Sequence, residues 1–350
     1  MKKRTVKAIL AMCIALVMVL GACAPSAPAP AAPAAPAAPG AEAPAAPAET
    51  ITLRFGHNQP THHAWHMGAE ILRDKLYEYS GGVIELLIFP DAVLGGEADM
   101  VVQVREGSLD FTISAPGNAA PMSPKFDLFS LPFLLRDVDH WTRVMDGPLL
   151  QEYNAIIAEE TGLAIAAVIG GSTRSVLSRF PFDDMSALQG YTLRLMPSEL
   201  HFAIWDAIGT LNITVPFGEL YSALAAGLMD GAENELPSIY TARLFEVAPY
   251  FILTEHEITV RPIFMNQAMF DGLSPDLQDA MVRAFEYAKV ATREFERQAA
   301  AAALDSMVNT YGWTIIPFDN TPLREATRPV IEDWAERNGL SDLANRIMAA

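Results

Sequence analysis

The stretch Ala187-Leu-Gln-Gly-Tyr-Thr-Leu-Arg-Leu-Met-Pro197 has the two-residue alternation of a β-strand. Tyr191, Leu193 and Leu195 point to one face, and Arg194 lies on the other face among apolar neighbours. A charge left unpaired at the end of an interior strand costs several kcal/mol. The pattern therefore predicts an inner strand whose arginine is held in place by an anion.

Similar strand patterns occur on both sides of this stretch and alternate with helical segments. Alternating strands and helices are typical of open sheets joined by crossover helices. The pattern runs once through residues 51–114 and then restarts, which predicts an α/β fold with two open sheets. The predicted strands are Ile51–Phe55, Val83–Phe89, Leu109–Ser114, Leu163–Ile169, Ser175–Ser178, Tyr191–Met196, Asn212–Val215 and Ile258–Phe264.

One predicted helix is too long for a single small domain. Ser274, Pro275 and Asp276 form a helix start, and Gly312 suits its far end. A helix over about 37 residues would be roughly 55 Å long, so we expect it to tie two lobes together. The predicted first lobe comprises residues 51–171 with about 260–299, and the second comprises 172–259 with about 300–350.

The N-terminus has the pattern of an exported, lipid-anchored protein. Four basic residues precede an uncharged run, which predicts a secretory signal over residues 1–22. The sequence Leu20-Gly-Ala-Cys23 resembles the bacterial lipobox, and Cys23 is then expected to carry lipid. Residues 23–50 are rich in alanine and contain eight prolines, so we predict a tether that could reach roughly 80 Å from a bacterial membrane.

Composition excludes several classes of function. Without the signal, the chain has 20 basic and 42 acidic residues, a formal net charge of −22, which argues against nucleic acid as a partner. A cleft can still present a local positive field to a small anion. Both cysteines lie in the N-terminal segment, so the predicted folded part has no thiol for a disulfide, a nucleophile or a thiolate metal site.

A second arginine and an asparagine complete a candidate anion site. Arg174 follows Gly170-Gly-Ser-Thr directly after an apolar strand, where α/β proteins commonly bind ligands. Two guanidinium groups facing one cleft would suit a carboxylate; alternatively, each arginine pairs with one of the many surface acids. The amide of Asn234 could both donate a hydrogen bond to a ligand and accept one from it.

Metal binding and catalysis are not indicated. His57, His62, His63 and His66 cluster after the first strand but lack the spacing of a zinc site, so we expect surface or ligand-contact roles. The chain has no Gly-x-Ser-x-Gly elbow and no phosphate-binding glycine loop. We therefore predict no enzyme activity, no metal and no cofactor.

Several motifs follow one another over nearly the whole chain from Ile51 onward. They are Phe89-Pro-Asp-Ala-Val-Leu-Gly95, Glu106-Gly-Ser-Leu-Asp-Phe111, Ser130-Leu-Pro-Phe133, Thr173-Arg174, Leu188-Gln-Gly-Tyr-Thr-Leu-Arg194, Ala207-Ile-Gly209, Phe217-Gly-Glu-Leu-Tyr-Ser-Ala-Leu224 and Gly227-Leu-Met-Asp-Gly-Ala-Glu-Asn234. In these motifs and their order the chain resembles the DctP-type solute-binding proteins of tripartite ATP-independent periplasmic (TRAP) transporters.

The resemblance implies a two-lobed, periplasmic-binding-protein-like receptor that closes on a carboxylate and delivers it to the small and large TRAP membrane subunits. By that resemblance, Arg194 would make a bidentate contact with the carboxylate and Arg174 a second cationic contact. Phe217 would pack on the ligand and Asn234 would hydrogen-bond it, while Asn58 and Glu97 would contact it from the opposite lobe.

At two positions the sequence differs from the family pattern, so the resemblance does not predict what contacts the ligand end far from its carboxylate. Ser114-Ala-Pro116 lacks an acid found in some relatives, and Glu235 replaces a common proline. His256 and Pro262 resemble residues of relatives that bind sugar acids, which favours a uronate slightly; a structural hinge strand is the alternative. The primary hypothesis is an extracytoplasmic receptor for an organic acid, and the rivals are a sensor for a signalling partner and a secreted hydrolase.

Overall fold

The computed structural model describes residues 50–350. The predicted signal, Cys23 and the predicted tether up to residue 49 lie outside the described residues. The strands are β1 (Ile51–Gly56), β2 (Ile84–Phe89), β3 (Phe111–Ile113), β4 (Leu163–Ser178), β5 (Thr192–Leu195), β6 (Leu211–Thr214), β7 (Gly231–Glu235), β8 (Tyr250–Asn266) and β9 (Thr314–Pro317).

Helices cover these strands on both sides. They are α1 (Ala64–Tyr79), α2 (Glu97–Arg105), α3 (Pro116–Ala119), α4 (Val138–Met145), α5 (Pro148–Thr161), α6 (Glu199–Asp206), α7 (Leu220–Ala225), α8 (Leu236–Thr241), α9 (Gln267–Asp271), α10 (Pro275–Asn309), α11 (Thr321–Arg337) and α12 (Ser341–Ala349). Short 3-10 helices cover Pro124–Ser130, Met185–Leu188, Phe217–Glu219 and Leu244–Glu246. No helix among these described residues combines the length and apolar character needed to cross a bilayer.

The strands form one mixed sheet in the order β2-β1-β3-β8-β4-β7-β5-β6, with β9 beside β8. The parallel pairs β1/β2 and β1/β3 belong to a first lobe, and the parallel pairs β5/β6 and β5/β7 to a second. The predicted two-lobed α/β fold is confirmed. The two predicted sheets are continuous, however, because β4 and β8 run antiparallel to each other through both lobes.

Gly170 and Gly171 explain why β4 is predicted as two strands. Both glycines have positive φ, +112° and +97°, and the pairing of β4 with β8 shifts between Gly170 and Thr173. A Cβ on Gly170 would lie 2.4 Å from the carbonyl oxygen of Thr259, so the close approach of β8 requires glycine there. The strand bends at this bulge but continues into the second lobe.

The long helix α10 joins the two lobes, as predicted. Its N-terminal half packs Met281 and Phe285 into the core under β1–β3, and its C-terminal half packs Ala303 and Met307 into the core under β7. With 35 residues it is roughly 52 Å long. Proline at its first turn and the preceding Ser274 begin it where the sequence predicts.

A carboxylate on α10 also ties the helix to the bend in β4. Glu296 accepts hydrogen bonds from Trp65 Nε1 at 2.9 Å and from the Gly170 amide at 2.8 Å. Burial raises the pKa of Glu296 to about 7. The helix is therefore connected both to α1 and to the backbone at which the chain passes between the lobes.

The C-terminal helices contact both lobes. Helix α11 packs against α6, whereas the backbone oxygen of Ile347 in α12 lies 2.7 Å from His140 Nε2 of α4, and Arg346 pairs with Glu152 of α5. The predicted lobe boundaries group residues 300–350 with the second lobe. Helices α11 and α12 therefore connect α6 of the second lobe with α4 and α5 of the first.

The contact between α1 and α10 generates a stability prediction. A Cβ on Gly68 would lie 2.0 Å from Thr292 Oγ1 and 3.0 Å from its Cβ. Alanine favours an isolated helix over glycine by about 1 kcal/mol, but overpacking typically costs about 1–3 kcal/mol. We expect Gly68→Ala to lower the free energy of unfolding, measured by urea denaturation.

The matched control is Gly68→Ala combined with Thr292→Ala, which removes the clashing hydroxyl and methyl groups. We expect Gly68→Ala to lower the free energy of unfolding less in the Thr292→Ala background than in the unchanged protein. An unchanged or raised urea midpoint for Gly68→Ala would show that α1 and α10 are not in close contact at this position.

Candidate functional site

A cavity of about 480 Å³ lies between the two lobes, at the ends of the central strands. All six residues that the resemblance assigns to ligand contact line it. Arg174, Arg194, Phe217 and Asn234 come from the second-lobe side, Asn58 comes from the loop after β1, and Glu97 is the first residue of α2. Further lining residues are Gln59, Trp65, Asn118, Ser238 and Arg261.

Arg194 is the buried cation that the strand pattern of residues 187–197 predicts. It lies near the end of β5, between β7 and β6, and only 4% of its surface is exposed. Its Nε donates to the Val215 carbonyl at 2.8 Å, but within residues 50–350 its two terminal nitrogens have no hydrogen-bond partner. Burial lowers its pKa to about 10, so the group stays charged at neutral pH and lacks a counterion.

Arg174 lines the cavity, and its predicted role as a second cationic contact stays a prediction, but most of its donors are already used within the chain. Its Nε donates to Glu233 at 2.5 Å, its Nη1 to Asn234 Oδ1 at 3.0 Å and to Glu235 at 2.9 Å, and its Nη2 to the Glu233 carbonyl at 2.9 Å. These bonds occupy four of its five N–H groups. Arg174 therefore holds the wall of the cavity together and has at most one donor left for a ligand.

Arg261 is a cavity cation that sequence reasoning missed. From β8 it donates through Nη2 to both oxygens of Glu235, at 2.7 and 2.8 Å, and its guanidinium lies 5.6 Å from the ring centre of Trp65. Burial alone would raise the pKa of Glu235, but Arg261 and Arg174 outweigh it and lower that pKa to about 2. The available signal was Glu235 itself, because a buried acid on a strand requires a cation.

Glu97 organises the opposite wall of the cavity. Its carboxylate accepts hydrogen bonds from Asn58 Nδ2 at 2.7 Å, Ser114 Oγ at 3.1 Å, the Ala115 amide at 2.8 Å and Asn118 Nδ2 at 2.8 Å. The predicted contact between Glu97 and a ligand stays a prediction. What the hydrogen bonds show is that Glu97 orients Asn58 and Asn118.

Unpartnered polar atoms remain on both walls of the cavity. On the first-lobe wall, Asn58 Oδ1 and Gln59 Oε1 are buried acceptors without a partner in the described part of the chain. On the other wall, Asn234 Oδ1 is used by Arg174 and by the Glu235 amide, which leaves the Asn234 Nδ2 donors available. Buried groups of this kind are normally satisfied, so the cavity suits a ligand with both acceptors and hydroxyl donors.

Of the clustered histidines, His62 is exposed as expected, whereas His57 and His63 are buried and make contacts within the chain. His57 Nε2 lies 3.2 Å from His66 Nδ1, and His63 caps α1 by accepting from the Trp65 amide. Burial lowers the pKa of His57 to about 3 and that of His63 to about 4. Residues 50–350 contain no group of three or more His, Cys, Asp or Glu side chains that could hold a metal ion.

Comparison with known proteins supports this description of the chain. The family model of bacterial extracellular solute-binding proteins, family 7 (DctP), matches residues 55–338. A solute-binding protein of Sulfitobacter sp. strain NAS-14.1 is 35% identical over 258 residues, which are 73% of this chain and 78% of that protein.

Two further similar proteins are known with a sugar acid as ligand. The 2,3-diketo-L-gulonate-binding periplasmic protein YiaO of Escherichia coli K12 is 30% identical over 81% of this chain and 86% of its own length. A crystal structure of a TRAP periplasmic solute-binding protein from Sulfitobacter sp. NAS-14.1 with bound α-D-taluronate is 32% identical. It superimposes with a TM-score of 0.81 over 85% of this chain and 97% of its own.

The two buried arginines generate opposite stability predictions in the ligand-free protein. Arg174→Met leaves Glu233 and Glu235 without their shared cation, so the free energy of unfolding should fall by roughly 3–5 kcal/mol. Arg194→Met removes an unpaired buried charge, so the free energy of unfolding should stay unchanged or rise. Guanidinium denaturation of protein freed of solute by unfolding and refolding measures both.

The two variants serve as controls for each other, since both replace a buried arginine with the same apolar side chain. A large loss of stability in Arg194→Met would mean that its guanidinium has a partner within the folded chain. That result would contradict the unpaired cation described above.

Proposed function

Because the chain belongs to family 7 of the bacterial extracellular solute-binding proteins, the DctP family, we propose that it is a TRAP-transporter receptor for a hydroxylated organic acid such as a uronate. The single observation that carries the proposal is Arg194, a buried and charged guanidinium that lines the cavity and whose terminal nitrogens have no hydrogen-bond partner within residues 50–350. A ligand carboxylate would accept two parallel hydrogen bonds from this fork.

The polar atoms of the cavity support a hydroxylated acid rather than a simple one. Asn58 Oδ1 and Gln59 Oε1 need donors, and sugar hydroxyls are donors on the carbon chain of a small acid. Hydrogen bonds to charged groups contribute about 1.5–3 kcal/mol each, and micromolar affinity needs about 8 kcal/mol in total. Of the similar proteins, one is a 2,3-diketo-L-gulonate-binding protein and another was crystallised with bound α-D-taluronate.

Binding would favour the closed arrangement of the lobes because only closure brings both walls to one ligand. The proposed first lobe is residues 51–171 with about 260–299, and the proposed second is 172–259 with about 300–350. The bulge at Gly170 and Gly171, where β4 passes between them, supports the boundary near residue 171.

The proposed cellular setting follows from the N-terminal pattern and the family. Lipid on Cys23 would anchor the receptor to a bacterial membrane, and the Ala/Pro-rich tether would let the folded part reach the small and large membrane subunits of the transporter. The receptor would then hand its solute to them on the extracytoplasmic side. This arrangement places the ligand-binding part outside the cytoplasm, in the periplasm or at the cell surface.

We propose a receptor without enzyme activity. No histidine, cysteine or lysine is present among the described residues that line the cavity. Ser238, a possible nucleophile, donates its hydroxyl hydrogen to Glu235 at 2.6 Å, and that carboxylate is already paired with two arginines. This arrangement supports binding over hydrolysis.

Calorimetric titration with D-glucuronate, D-galacturonate, D-taluronate and 2,3-diketo-L-gulonate tests the proposal. We expect at least one of these acids to bind with micromolar or tighter affinity. Arg194→Ala should weaken that binding about 100-fold or more, because two charged hydrogen bonds are lost. Arg194→Lys should bind with intermediate affinity, since it keeps the charge but loses the fork.

Arg297→Ala is the matched control, because Arg297 is exposed and pairs with Glu294 within α10. Its affinity should equal that of the unchanged protein, and circular dichroism should show the same fold for all variants. Full-strength acid binding by correctly folded Arg194→Ala would refute the assigned role of Arg194.

A further inference from the structure

The charged groups behind the cavity form one connected network. Arg174 pairs with Glu233 at 2.5 Å and with Glu235 at 2.9 Å, and Arg261 pairs with Glu235 at 2.7 Å. Glu257 on β8 lies 3.9 Å from Arg174 Nε and 3.8 Å from His201 Nε2 of α6. Burial opposes the charged form of His201, but the carboxylates of Glu257 and Asp127 outweigh it and raise its pKa. All of these side chains are buried.

The remaining charges around the cavity do not supply a second free cation. Glu97 is held by four neutral donors, while Asp99 and Glu219 lie exposed at the rim. His256 Nε2 lies 3.5 Å from Glu233 and so faces a carboxylate that is already paired. Among the described residues that line the cavity, Arg194 is therefore the one cation without an acidic partner.

Arg261 has N–H donors that make no hydrogen bond, but its positive charge is balanced by Glu235. Its Nε is buried without a partner in residues 50–350, and its Nη1 also makes no hydrogen bond there. A hydroxyl, ring or carbonyl oxygen could accept from these groups without adding charge to the site. A carboxylate in the same place would lie beside Glu235, whose two oxygens both contact this guanidinium, and like charges in a buried site repel strongly.

Arg194 and Arg261 also address different parts of a bound molecule. They rise from β5 and β8, which are separated in the sheet by β7 and β4. Three strand spacings correspond to roughly 14 Å between the two backbones. One ligand can therefore place its carboxylate at Arg194 and a different oxygen at Arg261.

We propose that the Glu235–Arg261 pair is a specificity determinant that restricts the cavity to acids with one carboxylate and an uncharged oxygen at the other end. This inference rests on the proposed function and narrows it. Uronates and keto-sugar acids meet the requirement. Aldarates, which carry a carboxylate at both ends of the same carbon chain, do not.

The test compares two matched ligand pairs on the purified protein by calorimetry: D-galacturonate with galactarate, and D-glucuronate with D-glucarate. Within a pair the carbon backbone and its stereocentres are the same, but the uronate is a cyclic hemiacetal with an uncharged C1, whereas the aldarate is an open chain with a second carboxylate at C1. We expect the uronate of the better-binding pair to bind at least 30-fold more tightly than its aldarate. Equal or tighter binding of the aldarate would overturn the inference while leaving the proposed receptor function intact.

Glu235→Gln tests the role of the pair directly, because it keeps the shape of the side chain and removes its charge. We expect the preference for the uronate over its aldarate to shrink at least tenfold. Glu246→Gln, which removes one exposed acid bonded to Arg243 and Tyr221, should leave the preference unchanged. An unchanged preference in folded Glu235→Gln would overturn the role of Glu235.

Proton uptake gives a second readout that needs no variant. Titrations in buffers of different ionisation enthalpy should show close to one proton taken up when an aldarate binds, because its second carboxylate must be neutralised beside Glu235. Binding of a uronate should take up no proton. Proton-free binding of an aldarate would contradict the inference. Failure to bind D-glucuronate, D-galacturonate, D-taluronate and 2,3-diketo-L-gulonate alike would overturn the proposed function and this inference with it.

Discussion

The burial of one unpaired guanidinium is the constraint on which the structure around the cavity depends. Arg194 is held on an inner strand by a single hydrogen bond to Val215, and its charge persists despite burial. A group in this state destabilises the empty protein and becomes favourable when an anion arrives. The desolvation of this group occurs during folding, so the proposed ligand carboxylate would meet a buried, oriented fork rather than a hydrated and mobile side chain.

The surroundings of Arg194 show how the charge is kept unpaired in a protein with a large excess of acids. The nearby carboxylates already have cations of their own: Glu233 has Arg174, and Glu235 has Arg261. Glu97 on the opposite wall is satisfied by neutral donors. These interactions keep the three buried or partly buried acids from turning toward Arg194, and they also keep Asn58 in place at the cavity wall.

The architecture that brings these residues together relies on long shared elements. Strands β4 and β8 run through both lobes, and helix α10 contributes to the cores of both. Closure of the lobes on a ligand, as proposed, would therefore require bending of continuous elements, for example at the bulge of Gly170 and Gly171. Because Glu296 bonds both Gly170 and the cavity residue Trp65, the bend and the cavity wall share one buried side chain.

The two-residue period around Arg194, the glycines before Arg174 and the capped start of α10 were enough to predict a two-lobed α/β fold, a long bridging helix and a cationic cleft. These features follow from local periodicity and from the residue types at strand ends, which are properties of short segments. The role of Arg174, the participation of Arg261 and the continuity of the sheet were decided only by tertiary structure. They depend on pairing between residues far apart in the chain, such as Glu235 of β7 with Arg261 of β8 across the intervening β4. Local sequence patterns do not specify which distant charge a buried guanidinium will meet.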